Sequence, residues 1–230
     1  MLYLVSTPIG NLKDITLRAL EVLSSADIIV CEDTRRLRKL LAHYKIKPKR
    51  IVVLNNYNER KKSKAVVDEL KTKDVVLVSD AGTPLVNDPG FFLVRQAVEN
   101  NIKVVPVPGA SSLLASLVSS GLPMDRFAFM GFFPKQKKRR KEILLAAKQV
   151  FNSAQIRTYI FFESPYRVLK TVGCIRETIP EAKLCICREL TKRFEEFYYS
   201  AAADINTGNI NPKGEFVIII SFDKGGKDSY

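Results

Sequence analysis

Residues 75–90 read VVLVSDAGTPLVNDPG, and this stretch restricts the fold more than any other. Four consecutive apolar residues, Val75 to Val78, predict a strand buried on both faces, as in a parallel sheet covered by helices. Ser79 to Pro84 follow as a turn of small side chains with one carboxylate, Asp80. Asp88 and Pro89 are residue types preferred at the N-cap and first position of a helix, which places a helix start near Gly90. In open α/β sheets, ligands sit outside the carboxyl ends of the strands, and small residues let a ligand approach the backbone. An ordinary tight strand-to-helix turn carries the same residue types, so this segment alone leaves both readings open.

The rest of the first half repeats the pattern. Strands are expected at 2–6, 27–31, 51–54 and 103–107. Helices are expected at 15–23 with Asp14 as N-cap, and at 35–43, 59–70, 91–99 and 113–118. Alternation of this kind implies a parallel sheet covered on both faces. Gly121-Leu122-Pro123 breaks it. Beyond that point five strands (127–131, 158–162, 184–188, 194–200, 215–222) accompany only two helices (137–151, 165–178), which fits a mixed, partly antiparallel α+β domain. The expected division is an N-terminal α/β domain at 1–112, a C-terminal α+β domain at 113–226 and a disordered polar tail at 227–230.

With 37 Lys and Arg against 24 Asp and Glu, the net charge is +13. Such a balance favours polyanionic partners, RNA ahead of membrane lipid. The run KQKKRRK (Lys135, Lys137, Lys138, Arg139, Arg140 and Lys141 around Gln136) has the density of a phosphate-contacting segment. A solvated helix start reads the same way. Phe132 and Phe133 just before it are candidates to stack a base, and equally for core positions.

Cys31, Cys174, Cys185 and Cys187 lack a zinc spacing and read as reduced core residues of a cytosolic protein. With His43 as the single histidine, a His-based metal site and a Ser-His-Asp triad are both disfavoured, and His43 is expected on the surface near a helix end. No metal site is expected. The N-terminus lacks the basic and apolar regions of a signal peptide, and no apolar run reaches membrane-spanning length.

Four turns with small or polar residues fall at the ends of N-terminal strands: Thr7-Pro8, Glu32-Asp33-Thr34, Ser79 to Pro84, and Pro108-Gly109-Ala110-Ser111-Ser112. Parallel strands put them along one edge of the sheet. No G-x-G-x-x-G follows a strand and no P-loop is present, so nicotinamide cofactors and nucleoside triphosphates are disfavoured. A ligand with a positive centre would tolerate carboxylates such as Asp80.

The blocks LYLVSTPIGNLKDITLRAL, CEDTRR, LVSDAGTPLVNDPG, VPGASSLLASLVSSGLP, RFAFMGFFP, FFESPYR, RELTKRFEE and KGEFVI occur in this order between residues 2 and 219. In this ordered combination the chain resembles the ribosomal RNA small-subunit methyltransferase I family, a branch of the tetrapyrrole methylases. The resemblance implies a tetrapyrrole-methylase-like fold, with the cofactor cleft between the two domains. It implies S-adenosyl-L-methionine as cofactor and 2′-O-methylation of a cytidine ribose in 16S ribosomal RNA of the small subunit, by a cytoplasmic homodimer with no membrane association. By position it puts Pro8, the turn Ser79, Asp80, Ala81, Gly82, Thr83, Pro84, and the turn Pro108, Gly109, Ser111, Ser112 around the cofactor. Met130 and Gly131, and Gly214 and Glu215, close the pocket. Arg35, Arg167 and the ELTK block face the RNA. Where the family usually has histidine in its ESPHR block this chain has Tyr166, which removes a histidine base at that position.

A ribose hydroxyl is a weak acid, so its attack on a sulfonium methyl is helped by a base or a nearby cation. Glu163, Glu189 and Asp33 are the candidate bases, and Lys192 the candidate cation. Each is also the kind of residue that forms structural ion pairs. Two other functions fit the same fold: a small-molecule methylase acting on a tetrapyrrole, and an RNA-binding or ribosome-assembly protein without activity.

Overall fold

The computed structural model describes residues 1–223; the tail expected at 227–230 lies outside the described residues. The chain divides into two compact units, one of residues 1–111 and one from Ser112 on.

The first unit is built on five parallel strands: β1 (Leu2–Val5), β2 (Ile28–Cys31), β3 (Ile51–Val53), β4 (Val75–Val78) and β5 (Val104–Val107). Their spatial order is β3-β2-β4-β1-β5, with Leu2 opposite both Val75 and Val104. All four residues of β4 are buried, as expected for a central strand covered on both faces. The helices are α1 (Leu17–Ser25), α2 (Thr34–His43), α3 (Glu59–Glu69) and α4 (Phe91–Glu99). Ala19 and Leu23 of α1 and Leu37 and Leu41 of α2 pack with Val5, Ile29, Val76 and Val78 on one face of the sheet. Val66 and Val67 of α3 and Leu93 and Ala97 of α4 pack with Leu2, Ile28, Val75 and Leu77 on the other. The alternation of side chains along each strand thus feeds two separate cores.

Two helix caps in this unit differ from the sequence expectation. Thr16, not Asp14, caps α1: its hydroxyl accepts from the Ala19 amide at 3.1 Å, and Asp14 ends a short 3₁₀ turn. At α4 the N-cap residue is Gly90, with φ of 133°, and no local side chain caps it. The buried Glu59 of α3 does so instead, accepting from the Gly90 and Phe92 amides at 3.0 and 2.7 Å.

The second unit carries β6 (Phe127–Phe132), β7 (Thr158–Glu163), β8 (Lys183–Arg188), β9 (Glu196–Ala201) and β10 (Phe216–Ser221) in the order β6-β7-β10-β8-β9. Only β6 and β7 are parallel; β10 is antiparallel to β7 and β8, and β9 to β8. Helices α6 (Lys137–Ala154) and α7 (Val168–Thr178) cover one face, where Leu144, Phe151, Val172 and Ile175 meet Phe161, Ile186 and Ile218. Helix α5 (Ser112–Ser119) lies over β10, outside that cluster. Phe133 belongs to this core, stacked on Phe161 with centroids 3.8 Å apart, so it is not a base-stacking residue. Phe132 remains exposed on the edge strand.

All four cysteines are free and buried, and burial raises the Cys31 thiol to about 11, so it stays protonated at neutral pH. His43 is the exposed last residue of α2.

Candidate active site

Strands β4, β1 and β5 are neighbours, so the turns at their carboxyl ends meet. Thr7 and Gly82 exchange two backbone bonds, both 2.9 Å. The Ser6 hydroxyl donates to Thr83 Oγ1 at 3.2 Å, and Thr83 donates to the Ala110 carbonyl at 3.4 Å. Ser79 closes its own turn on the Gly82 carbonyl at 3.0 Å. Two glycines make this possible. Gly82 has φ of +84°, and a Cβ on Gly109 would lie 3.0 Å from the Ser6 Cβ. The three turns therefore form one cradle of backbone and hydroxyl groups with little side-chain bulk. It has no Gly-rich phosphate loop and no arginine of its own, so its chemistry suits a compact ligand without phosphates.

The loop from β4 to α4 is strained. Leu85 and Asn87 have φ of 68° and 70°, and Gly90 lies in the same half of φ space. A bulky residue such as leucine at positive φ is an outlier, and such strain collects at ligand sites.

A second crevice opens beside the cradle. A groove of about 440 Å³ is lined by Glu32, Asp33, Thr34 and Arg35 after β2, Val53, Asn55, Asn56 and Tyr57 after β3, and Asp80 after β4. Asp80 accepts from the Asp33 amide at 3.0 Å and pairs with Arg36 at 3.4 Å, tying the β2 and β4 turns together. Asp33 caps α2, accepting from the Arg35 amide at 2.8 Å and pairing with the Arg35 guanidinium. Those bonds hold its carboxyl at about 2, which makes it a weak base. Asp88, near this edge, is pushed up to about 6, first by burial and then by the Glu32 and Asp80 charges. Burial and Asp80 also raise Glu32. Sequence reasoning missed Asp88 as a titrating group because its neighbours are more than 50 positions away or in the next turn.

In the second unit the ELTK and KGE turns form one structure. Glu189 Oε1 accepts from Lys192 Nζ and from the Glu215 amide, each at 2.9 Å, and Lys192 also reaches Glu215 Oε2 at 2.9 Å. Glu189 and Thr191 have φ of 52° and 65°. A Cβ on Gly214, at φ of +112°, would lie 2.6 Å from Glu189 Cγ. Burial alone would raise the Glu189 carboxyl, but the bonds from Lys192 and the Glu215 amide hold it below its ordinary value. Burial would lower Lys192, yet its bonds to Glu215 and Glu189 keep its ammonium above the usual range. Gly131, at φ of 67°, sits in a bulge of β6 that leaves Met130 exposed.

Glu163 is 2% exposed. It accepts from the Ser164 amide at 2.7 Å and from the Thr171 hydroxyl, and pairs with Arg167 at 2.7 Å. Arg167 in turn donates to the Phe133 carbonyl at 3.1 Å. The pair thus braces the ends of β6 and β7, with Arg167 a strut more than a free cation. Arg140 is a correction to the basic-run reading: it is 6% exposed and turns inward, donating to the Pro134 and Lys135 carbonyls at 2.7 and 2.9 Å. Lys137 and Lys141 pair with Glu177. Lys135, Lys138 and Arg139 stay exposed. Spacing in a charge run does not reveal which member folds back, because the acceptors are backbone carbonyls.

Residues 1–206 match the family described as Tetrapyrrole (Corrin/Porphyrin) Methylases. A ribosomal RNA small subunit methyltransferase I of Mesorhizobium japonicum is 47% identical, over 95% of this chain and 74% of its own length. The protein of that name from Buchnera aphidicola (subsp. Schizaphis graminum) is 44% identical over 96% and 78%. The chain belongs to the ribosomal RNA small subunit methyltransferase I family, within the tetrapyrrole methylases. Its fold is also that of uroporphyrin-III C-methyltransferase from Thermus thermophilus, solved in complex with S-adenyl homocysteine (TM-score 0.61, 18% identity, covering 96% of both chains). The two matches leave out about a twentieth of the chain at most.

Proposed function

We propose that this chain transfers a methyl group from S-adenosyl-L-methionine to the ribose 2′-oxygen of a cytidine in 16S ribosomal RNA of the small subunit, acting in the cytoplasm. The observation that carries the reading is the match along 95–96% of the chain to relatives named ribosomal RNA small subunit methyltransferase I, supported by the small-residue cradle at the strand ends. The resemblance also supports a homodimer. No helix among the described residues is long and apolar enough to cross a membrane.

The cofactor supplies a methyl group made electrophilic by a sulfonium. Pro8, Ser79 to Pro84, Pro108, Gly109, Ser111 and Ser112 are the proposed holding residues, with Met130, Gly131, Gly214 and Glu215 from the second unit. The cradle fits that group in its small side chains, and in the nearby carboxylates that suit a cation. Holding the reactants in line supplies much of the rate. Lys192, kept charged by its two carboxylate partners, is the proposed cation that steadies the oxygen as its proton leaves. Glu189 is ionised at neutral pH, positions Lys192 at 2.9 Å and is the proposed proton acceptor. Asp33 and Glu163 hold structure: one caps a helix and the other braces two strand ends.

The deciding experiment is transfer from labelled cofactor to small ribosomal subunits, mapped by ribose-methylation sequencing. One new methylated cytidine is expected. Transfer to a base, or none despite cofactor binding measured by calorimetry, would overturn the reading and favour a small-molecule methylase or an inactive RNA-binding protein.

The basic run gives a finer test. Replacing both Lys138 and Arg139 by alanine is expected to lower RNA affinity and to reduce the slope of log affinity against log salt by about 1–2, as loss of one or two phosphate contacts predicts. Arg140→Ala is expected to leave that slope unchanged and to cost about 1–3 kcal/mol of stability through two unpaired carbonyls. Salt titrations of RNA binding and thermal melts separate the two. Equal slopes for the double variant and the wild type would make Lys138 and Arg139 plain solvated surface.

A further inference from the structure

The first unit has three places where neighbouring strands send their helices to opposite faces. After β1 the chain enters α1 on one face and after β4 it enters α4 on the other; β2, leading to α2, makes such a pair with each of its neighbours, β4 and β3, the latter leading to α3. Ligands of open α/β sheets sit at these crevices. Turn-to-turn bonding makes the β1/β4 crevice into the backbone cradle proposed for the cofactor. The crevices on either side of β2 together hold the open groove of about 440 Å³, within the range of small-molecule sites. Groove and cradle share the β4 turn, so a group in the groove lies next to the cradle.

The groove is acidic inside and basic at its rim. Glu32, Asp33 and Asp80 line it. Arg35, at the edge of the lining, and Arg36, Arg38 and Lys39 further along α2 are exposed. Such a charge order keeps phosphate outside and favours an electron-poor, amino-bearing group inside. Among the described residues no group of three His, Cys, Asp or Glu is arranged to hold a metal, so the carboxylates are not a metal cluster. At the mouth, Tyr57 is 100% exposed on a locked turn. Asn55 Oδ1 accepts from the Tyr57 and Asn58 amides at 3.1 Å, and Asn58 Oδ1 accepts from the Asn55 amide at 2.9 Å. An aromatic ring held out by a rigid backbone is a stacking platform for an unpaired base.

We propose that this groove receives the base of the target nucleotide, with Tyr57 stacked on its face and Glu32 and Asn56 reading its edge. The assignment rests on the RNA methyltransferase reading above and gives it a recognition site. Cytosine matches the lining: its exocyclic amine donates to a carboxylate, and its ring nitrogen and carbonyl accept from an amide such as Asn56. The ribose then lies toward the shared β4 turn and the cradle, and the phosphates remain outside, along the basic rim of α2.

The test uses Tyr57→Ala and Tyr57→Phe in the full chain. Tyr57→Ala is expected to raise the KM for small ribosomal subunits about tenfold, as loss of one stacked base predicts. Its cofactor Kd should stay within twofold and its salt slope unchanged; Tyr57→Phe should restore the KM. Oligocytidylate carrying 5-iodocytidine, irradiated with the wild-type chain, should crosslink to Tyr57. An unaltered KM in Tyr57→Ala, or a crosslink only to aromatic residues elsewhere, overturns the groove assignment. Absence of methyl transfer by the wild-type chain overturns the RNA methyltransferase reading instead, while the crosslink still judges the groove.

Discussion

Glu163→Ala is expected to lower the stability of the second unit by about 3–5 kcal/mol, the loss typical when one partner of a buried ion pair is removed. The alanine would leave Arg167 with only its bond to the Phe133 carbonyl, and the Ser164 amide and Thr171 hydroxyl without their acceptor. Glu163→Gln keeps the shape and one acceptor oxygen, so a smaller loss of about 1–2 kcal/mol follows from weakening charged hydrogen bonds. The pair of variants also separates two roles for this residue. As a brace, Glu163 predicts that the glutamine variant methylates RNA at close to the wild-type rate. As the base, it predicts a folded glutamine variant whose kcat falls 10²-fold or more. Denaturant midpoints and single-turnover rates on both variants decide between them, and a stable but inactive glutamine variant would return Glu163 to the chemistry.

The strands and helices were legible because each has its own local signal. Val75 to Val78 announces a central strand by composition alone, and the structure buries all four residues. What stayed hidden is what the chain does across distance. Asp88 and Pro89 look like a helix start, yet α4 begins after Gly90 and is capped by a glutamate 31 residues upstream. Arg140 is indistinguishable in sequence from Arg139, and only the fold turns its guanidinium onto two carbonyls. Phe132 and Phe133 differ only in which side of the sheet end they face. The turns of the candidate site were legible as small-residue segments after strands. Their bonding to one another was not, because it depends on the order β3-β2-β4-β1-β5, in which β4 comes to lie beside β1. The groove beside β2 has the same origin: its walls come from three turns that no local motif connects.

Glu59→Ala is expected to cost about 2–4 kcal/mol, on the argument that it strips a charged cap from one helix and leaves two buried donors unpaired. The carboxylate lies where α4 presents its first amides, so it satisfies the Gly90 and Phe92 N–H groups and also faces the positive end of the helix dipole. Gly90 cannot take over. With φ of 133° and a would-be Cβ 2.7 Å from Leu77 Cδ2, it tolerates no capping side chain. Because Gly90 ends the strained β4–α4 loop, the loss is expected to reach beyond α4, to Leu85 and Asn87 with their left-handed backbone. Amide exchange across residues 79–95 should therefore accelerate more than in the rest of the first unit. Cofactor affinity, measured by calorimetry below the melting transition, should fall with it. Glu59→Gln, which restores a neutral acceptor, should recover about half of the lost stability. If Glu59→Ala unfolds at the wild-type denaturant midpoint, the anchoring of α4 must come from its packing on α3 and the sheet, and the coupling between cap, loop and cradle would be lost as an explanation.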